Sequence, residues 1–401
     1  MSALSSNPPQ ARPAPAAATP APTARVRDIR LDFYRGIAMY IILMAHIPYN
    51  TFTNWIPARF GFSDATEIFV FCSGMASAIA FGRVFVDRGW GMGALRISYR
   101  VWQVYWAHIG LFFAVAMTLA ALDATGLFER DYIGDLNLYP FFVDNTQQQL
   151  IGLMTLRYVP NYFDILPMYL VILAMIPLMM GLARIHPYLA LGASAAIWLV
   201  TQTGALSLPA EPWTDREWFF NPFGWQLIFF TGFAFIRGWL PAPPVRKDLV
   251  LLAVLLLLVT IPFARWQIFI HVDWIKDWRA DHRVLIAKTD FGLLRYVHFL
   301  LLGYVFWVLA GPGGSHIRAH GEGLVSRVWG FVMKCILKVG QQSLAVFITS
   351  MWLARMLGAW LDVIGRTTPS FWLVNLTGMA LITLTAFGVA WIKGHPWRKP
   401  A

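Results

Sequence analysis

The chain contains ten apolar runs long enough to cross a bilayer, and little else, which leaves it few ways to fold. The runs lie at roughly 31–50, 65–86, 98–121, 164–183, 187–206, 219–239, 248–264, 290–310, 335–362 and 370–392. A helix needs about 20 apolar residues to span some 30 Å of hydrocarbon, and in lipid every backbone polar group must find its partner inside the segment. The expected fold is therefore an all-α polytopic membrane protein of about ten transmembrane helices. Composition agrees: 58% of residues are hydrophobic and only 13% charged, against roughly a quarter charged in an ordinary soluble domain. Pro167 and Pro177 interrupt the fourth run, which membrane helices tolerate where neighbours satisfy the freed backbone groups.

A net charge of +11 would point a soluble protein towards nucleic acid, but here the cations alternate between loops. With the amino terminus in the cytoplasm, inner segments and their flanks hold eighteen Lys and Arg and outer segments ten, five of which fall in one loop. That bias predicts both termini in the cytoplasm and no nucleic-acid partner. Residues 1–27, with six prolines between Pro8 and Pro22, read as a disordered cytoplasmic tail, and 393–401 as a short basic one. No signal-like apolar run precedes residue 28, so the first helix is expected to direct insertion itself. Two outer loops are large, 122–163 and 265–289, and loops of that length are usually lids or binding surfaces. The second carries Trp274 and Trp278 among alternating charges, as a sugar-stacking surface would; an interfacial aromatic belt explains the same residues.

Candidate chemistry begins in DFYRGIAMYIILMAHIPYN. Arg35 and His46 are eleven residues apart, which at roughly 100° per residue returns to the same helix face and at roughly 1.5 Å rise separates them by ~16 Å. Ionisable groups inside a membrane helix are functional candidates by default. Arg35 offers bidentate phosphate recognition, or an ordinary helix-end pair with Asp32. The second run opens with Asp64 and Glu67, three apart on one face. They either cap the helix or sit beside His46 and raise its basicity, as a general base requires. Arg295 and His298 form a second polar spot in GLLRYVHFLLLGY. Asn161 and Asp164, Asn221, and Gln341, Gln342 and Ser343 add polar groups near helix ends, each of which is also explained as a cap or interhelical bond. Cys72 and Cys335 lie in apolar surroundings and read as packing residues. No phosphate loop, metal-ligand spacing or nucleophile elbow is present, so no bound metal is expected.

The spacing from Arg35 to His46 resembles the Arg-x10-His signature of the type 3 transmembrane acyltransferases. The fuller string RDIRLDFYRGIAMYIILMAHIP, followed by FGFSDATEIFVFCSG, NYFDILPMY, FNPFGWQL and GQQSLAVF, is similar to the OpgC family from about residue 28 to 392. That resemblance makes 28–392 a transmembrane acyltransferase domain of the bacterial inner membrane. It implies acyl transfer, in that family of succinyl groups, from cytoplasmic acyl-CoA to a hydroxyl of a periplasmic glucan. No permanently bound cofactor is implied; acyl-CoA is a co-substrate and membrane lipid the surrounding partner, with an oligomer compatible.

By position His46 becomes the catalytic base or acyl carrier, and Arg35 the anchor for the CoA phosphates. The arm of CoA is long enough to cover the distance between them. An acidic residue often precedes the histidine in that pattern; Ala45 stands there, which leaves Asp64 or Glu67 to orient the ring. Arg295, His298, Asn161, Asp164, Trp274 and Trp278 are the expected substrate contacts, and a succinyl carboxylate would need a cation such as Arg295 or Arg157. The competing functions are a proton-coupled transporter, for which related halves would be expected and none is visible, and a non-catalytic partner of a polysaccharide synthase.

Overall fold

The computed structural model describes residues 28–211 and 213–397; the expected tail 1–27 and the last four residues lie outside the described residues. The described chain is helical throughout, and its only extended pairing is an isolated bridge between Pro209 and Glu217. The long helices are α1 (Arg30–His46), α2 (Ala65–Asp87), α3 (Trp90–Ala124), α4 (Ile165–Ile185), α5 (Pro187–Thr201), α6 (Pro222–Arg237), α7 (Lys247–Ala264), α8 (Leu293–Leu309), α9 (Leu324–Gln341), α10 (Ser343–Ile364) and α11 (Thr368–Lys393). By length and apolar composition α2, α3, α4, α7, α10 and α11 can each cross a membrane, while α5 and α8 are apolar but shorter.

Several boundaries follow from local chemistry. Asp64 accepts a hydrogen bond from the Thr66 amide at 2.6 Å, and Glu67 accepts one from the Asp64 amide at 2.8 Å. This capping box satisfies donors that the first turn of α2 would otherwise leave orphaned. Asn221 caps α6 in the same way ahead of Pro222, a residue pre-set for the first helical position. The expected single run 335–362 is divided: α9 ends at Gln341 and α10 begins at Ser343. The polar residues Gln341, Gln342 and Ser343 mark the break between two apolar stretches. The two large loops also differ from expectation, because each contains short helices: Tyr132–Asp135 and Thr146–Met154 in the first, Asp273–Asp281 in the second.

Outward faces are apolar. On α7, Leu251, Leu252, Leu255, Leu256, Leu258 and Val259 are exposed in one stretch, a surface fit for lipid rather than water. Inside, α1 lies against α2, α9, α10 and α11. Two seams bring backbones into contact. A Cβ on Gly36 would stand 2.2 Å from the Ile336 carbonyl oxygen and one on Gly340 1.9 Å from that of Asp32, joining α1 to α9. Gly74 and Gly232 join α2 to α6 similarly, at 1.9 and 2.3 Å from the Phe229 and Phe71 carbonyls. Membrane helices associate through such small-residue contacts. Gly74→Leu is therefore expected to separate α2 from α6 and to abolish recovery of folded protein in detergent, read by size-exclusion profile; a wild-type profile would show that the seam tolerates side chains.

Candidate active site

Arg35 and His46 sit at opposite ends of α1. At the Arg35 end, the guanidinium donates from Nη2 to Ser343 Oγ at the start of α10, while its Nε is buried with no hydrogen-bond partner. Gln341 Nε2 donates to Asp32 Oδ2 at 3.3 Å, so the break between α9 and α10 is tied to the first turns of α1. Gln341 also lines a pocket of about 470 Å³ bounded by Arg318, Lys334 and Lys338. That volume is within the range of small-molecule sites, and its walls are cationic. Neither Lys334 nor Lys338 forms an ion pair with a carboxylate among the described residues.

At the other end, His46 closes the last turn of α1. Its Nδ1 bonds to the Ile42 carbonyl at 2.7 Å, and since a carbonyl only accepts, Nδ1 carries the proton and Nε2 presents its lone pair. Among the described residues Nε2 has no hydrogen-bond partner. The chain leaving His46 is pinned firmly: Asn50 Nδ2 donates to the Met44 carbonyl at 3.0 Å and to Asn375 Oδ1 at 2.9 Å. Arg366, paired with Asp362 at 2.5 Å, donates to the Pro48 carbonyl at 2.8 Å. The imidazole meets the Tyr162 ring edge to face with centroids 5.4 Å apart, and the Arg355 guanidinium lies over the same ring at 4.1 Å.

The acidic start of α2 makes a separate, neighbouring cluster. Glu67 is fully buried, and its Oε1 takes Arg295 at 2.5 Å and 2.8 Å from two guanidinium nitrogens. Asp64 takes Lys288 Nζ at 2.6 Å, with Arg295 at 3.8 Å. Burial alone would raise the Asp64 carboxyl, but Lys288 and Arg295 hold it well below the usual carboxylate range. His298 Nδ1 stands 2.7 Å from Ser63 Oγ, and a Cβ on Gly61 would fall on its Nε2 at 1.9 Å. A polar cleft of about 110 Å³ opens above the cluster, lined by Asp64, Arg295 and, from the second large loop, Arg279.

The structure thus brings Asp64, Glu67, Arg295 and His298 together, and it orients His46 by a backbone carbonyl; neither carboxylate is hydrogen-bonded to the ring among the described residues. Asp64, Lys288 and Arg355 nevertheless lie close enough to act electrostatically on it. Asn161 and Asp164 bind a neighbouring loop. Asn161 Oδ1 accepts from Arg216 at 3.1 Å and Asp164 Oδ1 from the Phe219 amide at 3.2 Å, which locks the segment before α4 to the 209–220 loop. In the second large loop Trp274 is exposed, whereas Trp278 is covered by the stacked His282 ring at 4.7 Å. Arg157 is exposed.

Tyr162 and Arg355 went unrecognised in the sequence. Arg355 stands inside the apolar stretch MWLARMLGAW, the property that singled out Arg35 and Arg295, and that signal identifies it. Tyr162 lies within NYFDILPMY, where Asn161 and Asp164 drew the attention instead.

A histidine with one free ring nitrogen, cations within helical runs and an apolar exterior define a membrane-embedded helical protein with an interior polar site. Residues 27–394 match the family model described as OpgC protein. The chain therefore belongs to the OpgC family, and membership suggests a membrane acyltransferase in general. No curated protein and no solved structure matched the chain.

Proposed function

We propose that the protein is an O-acyltransferase of the bacterial inner membrane that moves an acyl group, in this reading succinyl, from cytoplasmic acyl-CoA to a hydroxyl of a periplasmic glucan. Ten crossings with both termini in the cytoplasm belong to the same reading, which the loop charges support. The observation that carries it is α1 itself: the helix starts beside a pocket whose lining includes Arg318, Lys334 and Lys338, carries Arg35 in its first half, and ends in an imidazole whose Nε2 has no hydrogen-bond partner among the described residues. The polyanionic head of CoA suits the pocket walled by Arg318, Lys334 and Lys338. Its thin arm then runs along α1, over the ~16 Å that helix rise gives between Arg35 and His46. The glucan never enters the membrane.

The chemistry requires little else. His46 Nε2 accepts the proton of the acceptor hydroxyl as its oxygen bonds to the thioester carbonyl carbon; the carbon–sulfur bond breaks, and the proton passes to the departing thiolate. The products are the ester and free CoA. Exposed Trp274 and the cleft lined by Asp64, Arg279 and Arg295 supply a surface for the sugar.

Purified protein given acyl-CoA with and without glucan is expected to release CoA only when acceptor is present; absence of release with every acceptor would sink the acyltransferase reading, as a transporter or an assembly partner would behave. The headgroup placement has its own test. Lys334→Glu with Lys338→Glu is expected to raise KM for acyl-CoA by at least tenfold while leaving KM for glucan unchanged, and an unaltered KM for the donor would move the headgroup elsewhere.

A further inference from the structure

Arg355 is a cation beside His46 that no carboxylate pairs with among the described residues. Arg295 is taken by Glu67 and Lys288 by Asp64. Among the described residues Arg355 has no acidic partner, and its Nε is buried without a hydrogen-bond partner. A guanidinium donor left so is costly, and proteins keep such groups where a ligand completes them. The cation is also held in place. Its flat face rests on Tyr162, 4.1 Å from the ring centroid. That ring is fixed in turn, because its hydroxyl donates to the Met351 carbonyl one helical turn before Arg355 on α10. Tyr162 itself adopts φ of +88°, a left-handed conformation that a tyrosine takes only where its surroundings impose it. The same ring meets His46 at 5.4 Å. One tyrosine therefore contacts both the guanidinium, whose Nε has no hydrogen-bond partner, and the imidazole.

We infer that Arg355 selects the acyl group, pairing with the terminal carboxylate of a short dicarboxylic acyl thioester while the thioester carbonyl lies at His46. The inference rests on the acyl-transfer reading above and adds the residue that decides which acyl group is taken. In an extended four-carbon diacid the carbonyl and carboxylate carbons are about 4 Å apart at ~1.5 Å per bond. Arg355 and His46 meet the same ring, the guanidinium carbon 4.1 Å from its centroid and the imidazole centroid 5.4 Å away, so a chain of that size is short enough to engage both. A guanidinium pairs with a carboxylate through two parallel hydrogen bonds. A monocarboxylic acyl chain would leave it unsatisfied, which is how a polar subsite rejects an isostere lacking the polar group. The contrasting role, stabilising the oxyanion formed at the thioester carbonyl, would act on every donor alike.

Donor competition separates the two. In purified protein with one glucan acceptor, kcat/KM is measured for succinyl-CoA and for butyryl-CoA, which has the same chain length and no terminal charge. Arg355→Gln is expected to reduce the succinyl-to-butyryl ratio at least 100-fold and Arg355→Lys to reduce it less, both with melting temperatures near wild type. An unchanged ratio, or equal loss with both donors, overturns the assignment. A second measurement is independent of turnover. Succinyl-pantetheine is expected to raise the melting temperature of the wild-type protein more than butyryl-pantetheine does, and the Gln variant to lose that difference. Equal shifts in the wild type overturn the assignment as well. A wild-type protein that transfers no acyl group yet shows the selective shift would count against the acyltransferase reading and leave the carboxylate site standing.

Discussion

His46→Ala is expected to abolish acyl transfer, with a loss of at least 10³-fold in kcat, while the protein inserts and folds as before. A positioned general base contributes about 10² to 10⁴ in rate, and here no second base is available to replace it. Asp64 and Glu67 are engaged by Lys288 and Arg295, and His298 is closed in between Ser63 and Gly61. Folding should survive because, among the described residues, the ring's one hydrogen bond is to its own helix, from Nδ1 to the Ile42 carbonyl, and the end of α1 is secured by Asn50, Asn375 and Arg366. Acceptor-dependent CoA release, measured beside a detergent melting curve, is the check. Wild-type turnover in the variant would remove His46 from the mechanism.

The second large effect is on stability. Glu67→Ala should leave Arg295 as an uncompensated buried cation, and Arg295→Ala should do the same to Glu67. Breaking a buried pair from one side costs about 3–5 kcal/mol, a large part of what a folded domain has in reserve. Both single variants are expected to lose most folded protein. The double variant Glu67→Leu, Arg295→Met is expected to recover much of it, because removing both charges also removes the desolvation each had to bear. Yields of monodisperse protein across the four combinations measure the coupling, and a double variant no better than the worse single one would contradict the pairing.

Much of this was legible before any coordinates. The capping box at Asp64 and Glu67 is written in adjacent residues, and so is the cap at Asn221, because both depend on contacts within one turn. The shared face of Arg35 and His46 follows from helical periodicity alone. What sequence left open was the choice of partner. Glu67 had an imidazole as its nearest candidate along the chain, and it pairs instead with Arg295, 228 residues away; nothing local encodes that distance. Asn161 and Asp164 read in the sequence as polar groups beside an apolar run, and their partners Arg216 and the Phe219 amide lie some 55 residues on, beyond the reach of local pattern. Arg355 carried the right signal, a cation in an apolar stretch, but its meaning depends on Tyr162, which approaches from another part of the chain. The division at Gln341–Gln342 is marked by polar residues inside an apolar run, but polar residues there fit an interhelical bond as well as a helix end.

The two glycine seams have a consequence for motion. Where a carbonyl oxygen of one helix lies within about 2.5 Å of the position a neighbour's Cβ would occupy, the helices cannot slide or tilt past each other without parting the contact along its length. Those seams clamp α1 to α9 and α2 to α6, so the helix bearing Arg35 and His46 and the helix bearing Asp64 and Glu67 are each held in a fixed frame with one neighbour. A carrier that exposes its site alternately to the two sides must rock one block of helices against another, and neither seam could lie on the boundary between such blocks. A frame of this kind suits a reaction in which the reactants come to the protein from opposite sides and the protein itself stays still.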